Sequence, residues 1–341
     1  MAVLGTRVTT TTQDKYLAKL VDHILNSNVL FARMVGRAKR WSGNQMKFPL
    51  KHKKNVTGTS FSSFDTFSTS ATANRILLTY DPKFYQITIA LPLDEMSANQ
   101  TDAKVLDLTR IEMDGAAQDM ADDLGTIFFA DGTGNSSKDP NGLENLIDDG
   151  SNTATIGGQT RADFTPNLNS TVTASGGTLT LALMATLYSD ISSGSVVPTV
   201  AYTTEAVSDF YEQLLQPQER IQKDVPMMKG GLTGGTGFTA LHYKGFPVLA
   251  DEKSTSQVLY FLNEDFIDWY ALPIANTDPI KFRSQDIEGN DYSNVTGLGF
   301  SWTGWIKPTN SASIVGHVYF GGELVQTNPK RSGKLTGLTG V

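Results

Sequence analysis

Cysteine is absent from this 341-residue chain. Neither a disulfide framework nor a thiolate metal site is therefore available to it, and such a chain fits a reducing interior. No apolar run approaches the ~20 residues needed to cross a bilayer. The opening MAVLGTRV lacks the apolar core of a secretory signal, so the Asn-x-Ser/Thr triplets at Asn55, Asn169 and Asn294 carry no glycosylation argument. Histidine is scarce: His23, His52, His242 and His317 lie far apart, none at a ligand spacing such as HExxH. No GxSxG elbow is present, and the glycine-rich stretch 230–237 lacks the GK[ST] ending of a phosphate loop. DGTGNSSKD at 131–139 lacks the acidic spacing and terminal Glu of a calcium loop. The sequence singles out no catalytic, cofactor-binding or metal-binding residue. The expectation is a protein that is not an enzyme, needs no cofactor and touches no membrane.

What is present is long, polar and unevenly charged. The length suggests two domains, or one with long excursions. Hydrophobic content is 39%, a little low, with glycine, serine and threonine plentiful. The formal net charge is -7. Residues 1–60 hold eleven Lys/Arg against two Asp, whereas 94–149 hold fourteen Asp/Glu against three Lys/Arg. Solvated faces would produce such asymmetry. So would a basic arm meeting the acidic body of another subunit, or nucleic acid.

The chain is organised around the stretch 101–131. Leu106, Met113, Met120 and Ile127 recur every seventh residue, with Ala117 and Leu124 between them, which predicts one apolar stripe along a helix of roughly 40 Å. Asp107, Glu112, Asp114, Asp119, Asp122 and Asp123 fall largely off that stripe. Gly115 and Gly125 inside it each cost about 1 kcal/mol relative to alanine, so packing along the helix must offset them. Ser97 with Gln100 fits a capping box, and Thr101 is the other N-cap candidate. Gly132, Gly134, Asn135 and Pro140 end the helix.

Ahead of this spine, apolar spacing predicts a helix within Gln13 to Val35, followed by Arg33, Arg37, Lys39 and Arg40. Residues 44–92 read as a long β excursion. A first strand ends in Lys51, Lys53 and Lys54, and the return strand alternates Tyr85, Ile87, Ile89 and Leu91 with polar residues. Between them lies a polar loop of about twenty residues, unusual in a compact domain. It carries Phe61, Phe64 and Phe67. Either the aromatic tip lands on another surface or it packs on its own strands.

Beyond the spine, the pattern predicts a helix over 178–189, a buried strand at 198–203 and a helix over 205–215, an alternation that suggests an α/β domain. ALHYKGFPVLAD reads as two short strands joined at Lys244-Gly245, and QVLYFLNEDFIDWYAL as another strand pair. VTGLGFSWTGWI and ASIVGHVYFGGELV bracket IKPTNS in a hairpin-like layout. The tail NPKRSGKLTGLTGV is basic and glycine-rich, with no evident core.

This order of elements resembles the major capsid proteins of tailed bacteriophages, the Hong Kong 97-type shell fold also used by encapsulins. The resemblance spans nearly the whole chain. Its local matches are the spine exit ADGTG followed by Gly142-Leu143, and HYKGFPVLADEKSTSQVLYFLNEDFIDWYAL. It implies an α+β fold with an N-terminal arm (1–43), an extended β-hairpin loop (44–93), a peripheral domain with spine helix 101–131 (94–150), an α/β axial domain (151–285) and C-terminal strands returning to the peripheral domain (286–341). It implies pentamers and hexamers of an icosahedral head that encloses double-stranded DNA in a virion assembled in the host cytoplasm. Scaffolding, portal and decoration proteins are the further partners. No long charged helical leader precedes the arm, which implies a separate scaffold or a leader missing from this chain. The candidate intersubunit contacts are Lys51, Lys53, Lys54, Phe61, Phe64, Phe67, Asp119, Asp122 and Asp123. Two alternatives stay open: an encapsulin-like compartment, and a β-rich receptor- or glycan-binding module, against which the long amphipathic spine argues.

Overall fold

The computed structural model describes residues 28–55, 57–70, 73–98, 112, 115–116, 119–120, 122–215, 241–272, 278–279, 300–302 and 305–339. Residues 13–27 of the helix expected within 13–35, Gln100 and Thr101 of the spine cap, the stripe residues Leu106, Met113 and Ala117, and the loop 230–237 lie outside them, whereas Ser97 sits in the short helix Leu93–Ala98.

Two mixed sheets organise the described chain. The first joins β1 (Lys39–Arg40), β12 (Ile267–Ala271), β15 (Ser313–Gln326), β14 (Phe300–Trp302) and β13 (Asp278–Pro279) in that order, with β4 (Lys83–Pro92) on β15. The second has the order β7 (Thr171–Gly177), β16 (Gly333–Leu338), β11 (Leu259–Leu262), β8 (Val200–Thr203), β10 (Phe246–Ala250) and β9 (Leu241–Tyr243). Two small ribbons stand apart: β2 (Met46–Lys51) with β3 (Arg75–Tyr80), and β5 (Thr155–Ile156) with β6 (Gln159–Thr160).

The spine lies in the larger core. Residues 122–129 are helical, as are 112, 115, 116, 119 and 120. Ala116, Met120, Leu124, Ile127 and Phe128 are buried in a cluster that also takes Trp269 and Phe320 from the first sheet and Tyr202 and Tyr260 from the second. Phe128 packs on Trp269, which stacks on Phe320 at 4.8 Å. Asp119 and Asp123 face solvent. Gly125 has a packing reason: a Cβ there would sit 2.7 Å from the Asn28 side chain, so the glycine admits the segment that leads into the helix Val29–Gly36.

A second cluster lies on the far face of the second sheet, under the helices Leu181–Ile191 and Glu205–Leu215. Ala201, Leu259 and Phe261 point into it, whereas Val200, Tyr202, Tyr260 and Leu262 point into the spine core. Strands covered on both faces read as continuous apolar runs, which is why β8 and β11 show no alternation.

Three expectations change. The helix read over 178–189 begins at Leu181 because the Thr180 hydroxyl accepts the Leu183 N–H as an N-cap. The strands of QVLYFLNEDFIDWYAL do not pair with each other. Asn263 caps the 3-10 turn Glu264–Phe266 between them, sending β11 to the second sheet and β12 to the first. The tail does enter a core: β16 runs between β7 and β11 with Leu335 and Leu338 fully buried. Lys334, buried beside it, donates to the Glu144 carbonyl at 3.4 Å and lies 3.9 Å from the buried Asp148 carboxylate. Burial lowers the Lys334 pKa. The Asp148 carboxylate meets the same burial, but the N–H groups of Thr153, Gly150 and Asn152 outweigh it and hold its pKa below the usual range.

Candidate assembly surface

The ribbon β2–β3 is anchored at its root and bare at its tip. Met46, Leu78 and Tyr80 are buried, and the Tyr80 hydroxyl donates to the Gln326 carbonyl at 2.8 Å. Phe48 packs on Tyr270 and Tyr80. On the other side the loop 145–168 braces it: Thr79 N–H donates to Gly157 O, the Gln159 amide to Leu77 O, and the Asn167 amide to His52 O. Gly157 lies so close that a Cβ would meet Leu78 Cβ at 2.9 Å, and its φ is +53°.

That loop is itself shaped by one side chain. The fully buried Arg161 donates through Nη1 to the carbonyls of Asp148 and Leu168, and through Nη2 to those of Asn145 and Leu146. Arg161 is thus a positioning residue for the ribbon. No sequence signal marked it, since a lone arginine in a polar loop reads as a surface residue.

Past the His52–Asn74 backbone bond the ribbon leaves the body. Lys51, Lys53, Lys54 and Arg75 are exposed. Phe61, Phe64 and Phe67 are 69%, 98% and 62% exposed. Phe61 and Phe67 pack on each other, but none of the three is buried by the body. The unsatisfied stretch is therefore the tip rather than all of 44–92.

The acidic candidates divide. Asp122 pairs with Lys253 at 3.0 Å, and Asp123 accepts the Tyr85 hydroxyl. Asp119 is exposed. The basic arm is partly neutralised within its own chain as well. Arg33 and Arg37 reach Glu264 at 2.7 and 3.2 Å, and Lys39 reaches Asp268 at 2.5 Å. Asp251 caps the helix Val29–Gly36 by accepting Leu30 N–H at 2.9 Å. These contacts tie residues 28–40 to the body.

The spine exit has a steric rule behind it. Gly142 passes across the end of the spine, where a Cβ would lie 2.3 Å from Ala130 O and 2.4 Å from Ile127 O. Leu143 is then fully buried. Because backbone must move to relieve that clash, Gly142→Ala is expected to destabilise the fold by about 2–4 kcal/mol, read as a lower urea midpoint.

Glu323 is wholly buried on β15. Its Oε1 accepts Asn141 N–H at 2.7 Å and Leu324 N–H at 3.1 Å. Burial pushes its pKa up to about 8 against an ordinary 4.5. Unfolding therefore releases a proton between these values. Stability is full below the lower one and falls as pH rises through the upper one, by roughly 3–5 kcal/mol at about 1.4 kcal/mol per unit. Glu323→Gln should flatten that slope in urea unfolding at pH 5, 7 and 9; an unchanged slope would show the carboxyl titrates normally.

Among the described residues no group of three or more His, Asp or Glu is placed to hold a metal ion. No described helix is long and apolar enough to cross a membrane.

No family model matches the chain, and no curated protein does. Solved structures do. The capsid of cyanophage A-1(L) aligns over 92% of this chain and 93% of its own, with TM-score 0.69 at 14% identity. The capsid of the native GTA particle aligns over 89% and 88%, with TM-score 0.56 at 9% identity. The SrpI encapsulin of Synechococcus elongatus aligns over 91% and 87%, with TM-score 0.55 at 9% identity. At these identities the likeness is one of architecture: the chain has the Hong Kong 97-type shell fold.

Proposed function

We propose that this protein is a major capsid protein, a building block rather than an enzyme, which assembles into pentamers and hexamers of an icosahedral head around double-stranded DNA. The observation that carries the reading is the ribbon tip, which projects three phenylalanines that its own body leaves uncovered. A contact between unlike patches of identical copies repeats around an axis and closes into rings and shells when the rotation allows. In this reading 1–43 is the arm, 44–93 the extended loop, 94–150 the peripheral domain and 151–285 the axial domain. The segment 286–341 serves both sheets, β15 the first and β16 the second. Lys51, Lys53, Lys54 and Asp119 are free to meet neighbouring copies. Scaffolding, portal and decoration proteins complete the head, in a virion assembled in the host cytoplasm.

The encapsulin likeness supports a second reading, a compartment around protein cargo. Native particles separate the two. Nuclease-protected double-stranded DNA inside shells seen by negative-stain microscopy supports the head, and a protein cargo without DNA supports the compartment. A glycan array remains the test of the receptor-binding alternative.

A further inference from the structure

The ribbon is basic in an acidic chain. Residues 41–80 hold Lys47, Lys51, Lys53, Lys54 and Arg75 against the single acid Asp65, whereas the whole chain is net -7. Strand pairing sorts these cations to one side. Met46 stands opposite Tyr80, Phe48 opposite Leu78 and Leu50 opposite Ile76, and this inward side is buried or half-buried. The outward side pairs Lys47 with Thr79, Pro49 with Leu77 and Lys51 with Arg75, and Lys47, Lys51 and Arg75 are exposed. Lys53 and Lys54, also exposed, continue the row past the His52–Asn74 bond.

Lys51 directly opposite Arg75 breaks a local rule. Like charges facing each other across an antiparallel pair, with Cβ atoms about 5 Å apart, are destabilising. No described carboxylate forms an ion pair with any of the five cations. Asp65 is engaged at the tip, where its carboxylate accepts Ser62 N–H at 2.7 Å. An anion held between Lys51 and Arg75 turns their repulsion into attraction, and four cations in one neck suit a run of anions better than a single one.

The same projection carries flat apolar rings. Phe64, almost wholly exposed, sits in the turn that Asp65 N–H closes on Ser62 O at 3.0 Å. Phe61 and Phe67 meet edge-on at 5.2 Å, and each leaves more than half its surface bare. Charge and rings together decide which polyanion fits. An acidic polypeptide supplies charge but nothing flat for the rings. A duplex supplies charge but keeps its bases stacked inside. Single-stranded nucleic acid supplies both, and proteins that bind it without sequence preference combine a cationic track with aromatic platforms.

We infer that the ribbon of the free subunit binds single-stranded nucleic acid, with phosphates along Lys51, Arg75, Lys53 and Lys54 and bases against Phe61, Phe64 and Phe67. This goes beyond the shell reading and does not depend on it. Where the two meet they compete: rings buried against a neighbouring copy cannot hold bases, so assembly releases the strand.

The test uses the full chain, diluted until sedimentation velocity shows monomers, and a fluorescent oligothymidylate of about 20 nucleotides, longer than one such site. Anisotropy over a salt series should give a log–log slope of about -3, from four phosphates at about -0.7 each. Lys51→Gln with Arg75→Gln should weaken binding about tenfold or more and roughly halve the slope. Phe64→Ala should weaken it about fivefold or more and leave the slope unchanged, a split that a general loss of structure would not produce. The same oligonucleotide in duplex with oligoadenylate should bind about tenfold more weakly. Equal binding of the duplex, or displacement of the strand by polyglutamate of matched charge, overturns the inference. So does an affinity that either set of variants leaves unchanged, and so does no binding at low salt. Each of these leaves the shell reading standing, because assembly is what tests that reading.

Discussion

Replacing residues 55–73 with a two-residue turn is expected to leave a folded subunit that no longer assembles. The His52–Asn74 bond closes the ribbon below the cut, and the buried root residues Met46, Leu78 and Tyr80 are untouched. Because the removed stretch adds almost nothing to the core, the melting temperature should move by only about 1–2 °C. Association should weaken far more. Anchors at protein interfaces contribute about 2 kcal/mol or more each, so losing even one anchoring phenylalanine weakens each contact roughly thirtyfold. Circular dichroism and negative-stain microscopy on the same preparation separate the two effects. A deletion that unfolds the subunit would mean the tip packs on its own body; one that still builds shells would remove the tip from assembly.

The second large effect belongs to Arg161. Arg161→Met keeps much of the side-chain volume but strands the carbonyls of Asn145, Leu146, Asp148 and Leu168, each now buried without this donor. Such a loss costs about 3–5 kcal/mol, or a fall of about 5–8 °C in Tm for a chain of this size. The damage should spread to the ribbon root, since the same loop accepts Thr79 N–H and donates to His52 O. Amide exchange at Thr79 should therefore accelerate beyond what the global loss explains, and Arg161→Lys, which keeps the charge but loses the fork, should fall between. A variant within 1 kcal/mol of the parent by urea unfolding, on the order of an ordinary surface change, would show that the carbonyls find other donors.

Local signals carried much of this architecture. The ribbon strands, the β9–β10 turn at Lys244-Gly245 (φ 45° and 94°), the helix Glu205–Leu215 and the buried stripe Met120, Leu124, Ile127 all follow from periodicity and turn chemistry. The aromatic tip was half legible: the sequence left its phenylalanines free to land elsewhere or to pack on their own strands, and the structure leaves all three exposed. Non-local partners hid the rest. β16 carries few apolar residues, and its place depends on Asp148 and the Glu144 carbonyl receiving Lys334. The divergence of β11 and β12 depends on a turn whose Glu264 is held by Arg33 and Arg37, more than 200 positions away. For the same reason, Asp122 and Asp123 looked like free surface charges until Lys253 and Tyr85 came beside them. Gly125 was visible as an anomaly and Gly142 only as part of a family likeness; the neighbours Asn28 and Ala130 explain them.

Everything turns on whether copies of this chain cover one another's bare tips. Sedimentation velocity of the purified full chain across a concentration series, with added crowding agent, reads that directly. Discrete pentamers or hexamers, or closed shells built from them, are the expected species. A single 37.0 kDa monomer at every concentration, with the ribbon tip as protected from exchange as the core, would contradict it.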